Sequence, residues 1–75
     1  MNENETYTAN DVHYPQVMVE LTGTDGNAFA ILGKVQKALR AAGAPAEDVT
    51  AYFDEATAGD YDHLLKVTMT WVDVI

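Results

Sequence analysis

The chain has 75 residues, with twelve acidic side chains, four basic ones and no cysteine, and its net charge is −8 at pH 7. This length allows one domain with one small core. The lack of cysteine excludes disulfides and thiol chemistry and favours a reducing cytoplasm. The acidic balance opposes direct nucleic-acid binding, and no apolar run is long enough for a membrane span.

The first 14 residues, MNENETYTANDVHY, are polar and lack a periodic apolar pattern. We expect them to be a flexible arm, and residues 15–75 to form the single globular domain. In residues 16–23, Val17, Val19 and Leu21 alternate with the residues between them, which predicts a half-buried strand.

Two helices are predicted next. From residue 28 to 42, apolar side chains recur at helical spacing, and Gly43 follows as a helix-ending residue. A second helix is predicted to begin at Pro45, because proline suits the first helical position, and to end before Gly59. The short link between the two helices favours an antiparallel hairpin.

The final segment, DYDHLLKVTMTWVDVI, matches both helical and strand spacing. We predict a helix from Asp60, its N-cap, to about Met69, followed by an extended segment over 71–74 that pairs with the first strand. The expected architecture is therefore a small α+β fold of the order βαααβ. The alternative is a mostly helical fold whose strand pairs with a second copy across a dimer.

Two stretches, TGTDGNAFAILGKV and ATAGDYDHLLKVTMTWVDV, resemble a family of small bacterial and phage proteins. The resemblance covers roughly residues 16–74 and leaves the N-terminal arm outside. It implies a single independent domain and a bacterial or phage setting. It implies no activity and assigns no catalytic residue.

The loop between the first strand and helix is one candidate site, formed by Gly23, Thr24, Asp25, Gly26 and Asn27. A glycine-rich turn before a helix can bind an anion through backbone N–H groups and the helix dipole. This loop lacks the lysine and the spacing of a phosphate-binding motif, and Asp25 would repel a phosphate. The simpler interpretation is a tight turn at Asp25-Gly26, with Asn27 or Thr24 capping the helix.

A basic trio on the same predicted helix, Lys34, Lys37 and Arg40, is a second candidate site for an anion or nucleotide. A solvated face that complements the helix dipole and pairs with acids such as Asp54 or Glu55 is the simpler interpretation. Asp60, Asp62 and His63 are residue types that bind metals, but a zinc site needs at least three converging ligands. We therefore expect no metal and no cofactor, with Asp60 acting as a cap and His63 solvated.

Large aromatic side chains are expected mostly in the core. A chain this short can leave some of them exposed, and a patch with Phe29 or Trp71 would then be a contact surface. Gly33 adds a smooth strip on the long helix that would permit close approach by another helix.

The sequence contains no serine, and no set of catalytic residues is complete, so we do not expect an enzyme. The favoured hypothesis is a small acidic cytoplasmic protein-interaction module that associates with itself, with another protein, or with both. The alternative is a small-ligand or nucleotide-binding protein of phage or bacterial origin that sequesters its ligand.

Overall fold

The structure is a computed structural model, and it describes residues 12–24 and 26–75. It contains, in chain order, β1 (Tyr14–Val19), α1 (Ala28–Ala41), α2 (Ala46–Ala56), α3 (Tyr61–Trp71) and β2 (Val72–Val74). The predicted small α+β fold of the order βαααβ is confirmed. The two strands pair within one chain, and not across a dimer as in the alternative.

The two strands form a parallel sheet with Met18 opposite Asp73 and Val19 opposite Val74. The register is irregular between Tyr14 and Met18, a stretch that contains Pro15. Proline has no backbone N–H to donate to a neighbouring strand, which fits this irregularity. The backbone N–H of Ile75 donates to the carbonyl of Val19 at 3.0 Å and extends the pairing by one residue.

The first strand begins earlier than the predicted strand at 16–23 and ends earlier too. His13 and Tyr14, which we had assigned to the flexible arm, belong to the folded body. The N–H of His13 donates to the carbonyl of Thr70 at 2.9 Å, and Tyr14 is the first residue of β1. Residues 1–11 of the predicted arm lie outside the described residues.

Helix α1 begins and ends as its local sequence predicts. The Asn27 side chain accepts a hydrogen bond from the N–H of Ala30 at 3.0 Å, so Asn27 is the N-cap. After Ala41 the chain turns at Gly43, whose φ of +89° favours glycine. The N–H groups of Gly43 and Ala44 donate to the carbonyls of Arg40 and Leu39, which is the hydrogen-bond pattern of a Schellman motif.

The starts of the other two helices differ in how they are capped. Pro45 is the N-cap of α2 and not its first helical residue, because its ψ of 155° is extended. The N-cap of α3 is Asp60, as predicted, and its carboxylate accepts from the N–H of His63 at 2.9 Å. The chain turns from α2 to α3 through Thr57 to Asp60, so the third helix starts close to the end of the second.

The core lies between the inner face of the sheet and the three helices. It is built from one apolar stripe per helix and the inward side chains of both strands, and its buried members are Val17, Val19, Ile31, Leu32, Val35, Leu39, Val49, Tyr52, Ala56, Leu64, Val67, Trp71 and Val72. One polar side chain, Thr68, is fully buried among the described residues. Its hydroxyl is 2.8 Å from that of Tyr52, so both buried hydroxyl groups have a partner.

Trp71 lies at the end of α3 and is 5% exposed. Its indole N–H donates to the Glu55 carboxylate at 2.7 Å, and its ring stacks on His13 with centroids 4.0 Å apart. The extended segment begins at Val72 and not at residue 71 as predicted. The burial of Trp71 agrees with the expectation that the aromatics pack in the core and contradicts the alternative that Trp71 belongs to an exposed contact surface. Its partners come from distant parts of the chain, which close over the ring only in the folded protein.

No helix in the described part of the chain is long and apolar enough to cross a membrane.

Candidate functional site

An open apolar groove of about 450 Å³ lies where α1, α3 and the ends of the two strands meet. The described residues that line it are Leu21, Gly26, Ile31, Tyr61, Leu65, Met69 and Val74. Tyr61 is the one titratable residue among them. The groove can therefore bind an apolar group, with the Tyr61 hydroxyl as its polar side-chain contact.

The spacing of three side chains along α3 explains one wall of the groove. Tyr61, Leu65 and Met69 are four residues apart, so they form a ridge along one side of the helix. The core stripe of the same helix, with Leu64, Val67 and Trp71, lies beside this ridge. Helix α3 thus has an apolar surface wider than its core contacts use, and Met69 is left 53% exposed.

The hydroxyl of Tyr61 accepts a hydrogen bond from the backbone N–H of Gly26 at 2.7 Å. Gly26 has a φ of +76° and nothing within 4 Å of its missing Cβ. The bond joins the start of α3 to the loop before α1, and thereby fixes the floor of the groove at its loop end. A hydroxyl group can accept one hydrogen bond and donate another.

A second, smaller cleft of about 220 Å³ lies on the other side of Tyr61. It is formed by the start of α1, the end of α2 and the start of α3, with Phe29, Leu32, Ala56 and Leu64 among its lining residues. Phe29 lies at this cleft and is 84% exposed. Its exposure fits the predicted contact surface but not the default expectation that this aromatic belongs to the core.

The predicted loop site is only partly described, because Asp25 lies outside the described residues. The N–H of Thr24 donates to the carbonyl of Leu21, and the N–H of Asn27 donates to the carbonyl of Thr24. Gly23 has a φ of +89°, as a turn requires. The N–H groups of Thr24, Gly26 and Asn27 thus all donate within the protein, which fits the turn-and-cap interpretation of the loop.

The structure does not bring the whole basic trio to this loop. The Lys34 ammonium donates to the carbonyl of Glu20 at 2.6 Å, on the sheet side of α1. Lys37 and Arg40 lie about 15 and 20 Å along the helix from Asn27, at a rise of 1.5 Å per residue. One small anion could not contact both the loop and these two side chains.

The predicted metal candidates are held by other contacts. Asp60 is the N-cap of α3, and the His63 ring nitrogen Nε2 is 2.9 Å from the carbonyl oxygen of Glu55. His63 is therefore half-buried and hydrogen-bonded, and not simply solvated as we expected. Within residues 12–24 and 26–75, no three side chains of a metal-binding type are grouped so that they could hold a metal ion.

Glycine at position 59 is explained by this histidine. A Cβ at residue 59 would lie 2.7 Å from Cγ of His63, so any larger residue would displace the ring. Gly33, in contrast, has open space around it and lies on the exposed side of α1. The open space at Gly33 agrees with the predicted smooth strip on this helix.

Two tyrosines have altered acidity. The pKa of Tyr14 is raised mainly because its hydroxyl donates a hydrogen bond to the Asp48 carboxylate, and further by desolvation and by the negative charge of Asp48. Burial raises the pKa of Tyr52, and its hydrogen bond with Thr68 opposes that shift. Neither phenol lines the groove, so we expect both side chains to contribute to folding stability and not to binding.

Sequence reasoning missed the groove itself. The final segment, which contains Leu65 and Met69, matches both helical and strand spacing, and Leu21 belongs to the predicted strand. The available signal was the double apolar stripe on α3, which is wider than one core contact needs. Comparisons with protein-family models, curated proteins and solved structures found no match.

Proposed function

We propose that the chain is a small non-catalytic protein-interaction module of the cytoplasm, which holds an apolar segment of another protein in the groove and also associates with itself. The observation that carries this proposal is the groove of about 450 Å³ with its exposed residue Met69. Protein interiors are close-packed, and large exposed apolar patches in small proteins commonly mark binding surfaces.

The chemistry of the lining supports binding over catalysis. General acid–base catalysis needs groups positioned to exchange protons with a substrate, and among the described residues that line the groove Tyr61 is the single titratable one. An apolar pocket with one fixed hydrogen-bonding group is typical of sites that recognise a shape and an orientation.

The charge of the chain indicates the kind of segment that would bind. A net charge of −8 raises the local concentration of basic partners and repels acidic ones. Asp62, which follows the lining residue Tyr61 in the first turn of α3, is exposed. The proposed partner segment therefore carries apolar side chains that enter the groove and positive charges beside them.

Selection of short random peptides displayed on phage tests this proposal. Wild-type protein serves as the bait. Depletion of the library on the Met69→Lys variant removes peptides that bind outside the groove. We expect enriched peptides that combine apolar and basic residues, and that bind Met69→Lys at least about tenfold more weakly, a difference of about 1.4 kcal/mol. Met18→Lys is the matched control, because Met18 is 64% exposed and does not line the groove.

Peptides that bind wild type and Met69→Lys equally would contradict the groove as the binding site. So would a selection that yields no peptide able to distinguish the two baits. Circular dichroism of both lysine variants confirms that each is folded before its binding is compared.

A small apolar ligand is a second candidate occupant, since the volume of the groove falls within the range of small-molecule sites. Titration with a medium-chain alcohol such as octanol, followed by methyl NMR, separates this candidate from the first. Saturable shifts of the groove methyl groups that disappear in Met69→Lys would favour it. Linear, non-saturating shifts would exclude it.

A further inference from the structure

The charges of the two antiparallel helices α1 and α2 are segregated by sign. Helix α1 contains Lys34, Lys37 and Arg40 and no acidic residue. Helix α2 contains the acids Glu47, Asp48, Asp54 and Glu55 and no basic residue. A surface that presents both helices is therefore positive along one and negative along the other, and could complement a second copy of itself.

The same two helices expose two aromatic side chains and a glycine that the described part of the chain does not explain. Phe29 is 84% exposed on α1, and Phe53 is 37% exposed on α2. Gly33 follows Phe29 by four residues on α1, and no atom of the described residues lies within 4 Å of the position of its missing Cβ. A glycine inside a helix is destabilising relative to alanine, and no contact within residues 12–24 and 26–75 requires one at this position.

The arrangement of the helices allows this surface to meet its own copy. A short link joins the end of α1 to the start of α2, and the smaller cleft brings Phe29 beside Ala56 and Thr57 at the end of α2. The helices are therefore antiparallel neighbours. Consider a two-fold axis that lies in the interface between two copies, midway between the two helices and parallel to them. This axis places α1 of each copy against α2 of the other.

We infer that this helix-pair face, formed by Phe29, Gly33, Lys37 and Arg40 of α1 with Glu47 and Phe53 of α2, is the interface of a two-fold symmetric dimer. The inference rests on the proposed self-association and uses a surface separate from the groove. In this arrangement Phe29 enters the 220 Å³ cleft of the second copy. Arg40, at the other end of α1, then lies opposite Glu47 of the second copy.

Two-fold arrangements with α1 against α1, or α2 against α2, would bring like charges together. Those arrangements are disfavoured because like charges across an interface oppose association. Placing α1 on α2 brings opposite charges together. Because the interface is isologous, each of these contacts occurs twice. It also places Phe53 of one copy over Gly33 of the other, where the missing side chain leaves room.

The size of the face sets the expected strength. Helix α1 has 14 residues and is about 21 Å long, and two adjacent helices are about 20 Å wide. A face of these dimensions, about 420 Å² per copy, is below the area of standard stable interfaces and within the range of weak, transient ones. We therefore expect a concentration-dependent dimer and not a permanent one, with each chain folded on its own.

Mixing two charge-reversed variants of the full chain tests the inference. In Arg40→Glu and in Glu47→Arg, each homodimer would place like charges opposite one another at two sites. An equimolar mixture would restore both opposite-charge pairs, because each site then joins one glutamate to one arginine. Sedimentation velocity and native mass spectrometry should show that wild type dimerises, that each variant alone dissociates at least about tenfold more readily, and that the mixture forms heterodimers.

A second variant tests the apolar contact. Phe29→Ser removes an exposed side chain, so the monomer should stay folded while the dimer is lost. Wild type that remains monomeric, variants that dimerise like wild type, or a mixture without heterodimers would each overturn the inference. Peptide binding in the groove is measured on the same variants, so failure of the dimer and failure of the groove are separate outcomes.

Discussion

The two sides of α3 differ in how completely the rest of the chain contacts them. On the core side, Trp71 is 5% exposed, its N–H is hydrogen-bonded to Glu55, and the rings of His13 and Tyr52 lie against it. On the other side, the ridge of Tyr61, Leu65 and Met69 lines the open groove, and Met69 is 53% exposed. A helix of 11 residues thus has one side closed by packing and one side available to another molecule.

This difference indicates a division of roles between the two sides of one helix. A chain of this size has about 3–5 kcal/mol of net stability to lose, so a well-packed tryptophan contributes a large share. The open side adds less to stability because its apolar surface is only partly removed from water. Changes at Trp71 should therefore alter folding, and changes at the ridge toward Met69 should alter binding.

The largest expected effect is that of Trp71→Ala. Removing a buried tryptophan costs about 3–5 kcal/mol, which is comparable with the whole stability of the chain. We expect this variant to be largely unfolded by circular dichroism at 25 °C. Trp71→Phe keeps an aromatic ring but loses the bond to Glu55, and should cost about 1–2 kcal/mol.

If Trp71→Ala unfolded with the same urea midpoint as wild type, the packed side of α3 would not stabilise the fold. That result would contradict the proposed difference between the two sides.

The buried hydroxyl pair of Tyr52 and Thr68, on the same packed side of α3, should give the next largest effect. Tyr52→Phe leaves the buried Thr68 hydroxyl without its partner, and Thr68→Val does the same to Tyr52. Each change should cost about 1–3 kcal/mol. The double variant should cost less than the sum, because no unpaired hydroxyl remains. Urea unfolding of all four proteins measures the coupling, and strictly additive costs would show that the two hydroxyls do not interact.

Raised tyrosine pKa values predict how stability depends on alkaline pH. Tyr14 and Tyr52 both bind their protons more tightly in the folded chain than the ordinary pKa of 10.0 would give. Their contribution is fully present below about pH 10 and is lost as the pH rises through the folded-state values. The free energy of unfolding should therefore fall above about pH 10, and fall less in Tyr52→Phe. A flat profile from about pH 8 to pH 11 would contradict the raised values.

The smallest effect expected is a gain of stability on the exposed face of α1. Gly33→Ala should stabilise the monomer by about 0.5–1 kcal/mol, since its surroundings are empty and its backbone is helical. Gly43→Ala is the matched control, because its surroundings are also empty but its φ is +89°. That variant should be destabilised by the left-handed conformation. Equal effects of the two changes would mean that backbone conformation does not decide them.

Features fixed by neighbouring residues could be predicted from the sequence. The apolar stripe of α1, its Asn27 cap, the Gly43 turn and the Asp60 cap each depend on residues within one or two helical turns. The order βαααβ followed from these local patterns and the strand pattern around Val17. Pro45 was predicted to be the first helical residue of α2 but is its N-cap, one position earlier. The pattern did not separate these two adjacent positions.

Features made by distant parts of the chain could not be predicted. The burial of Trp71 depends on His13, Tyr52 and Glu55, which are 16 to 58 residues away in the sequence. The groove likewise arises where a loop, two helices and a strand meet, so no single segment contains it. The double apolar stripe on α3 was visible, but its second half could equally have been core.

Methyl NMR of the full chain during titration with a selected peptide tests most directly that the open side of α3 is the binding surface. The groove contains methyl groups on Leu21, Ile31, Leu65, Met69 and Val74, whereas Val17, Val49 and Val67 belong to the buried core. We predict saturable shifts in the groove set, with the core valines and the Trp71 indole N–H unchanged. Shifts centred on Trp71, or spread evenly over both sets, would contradict the account.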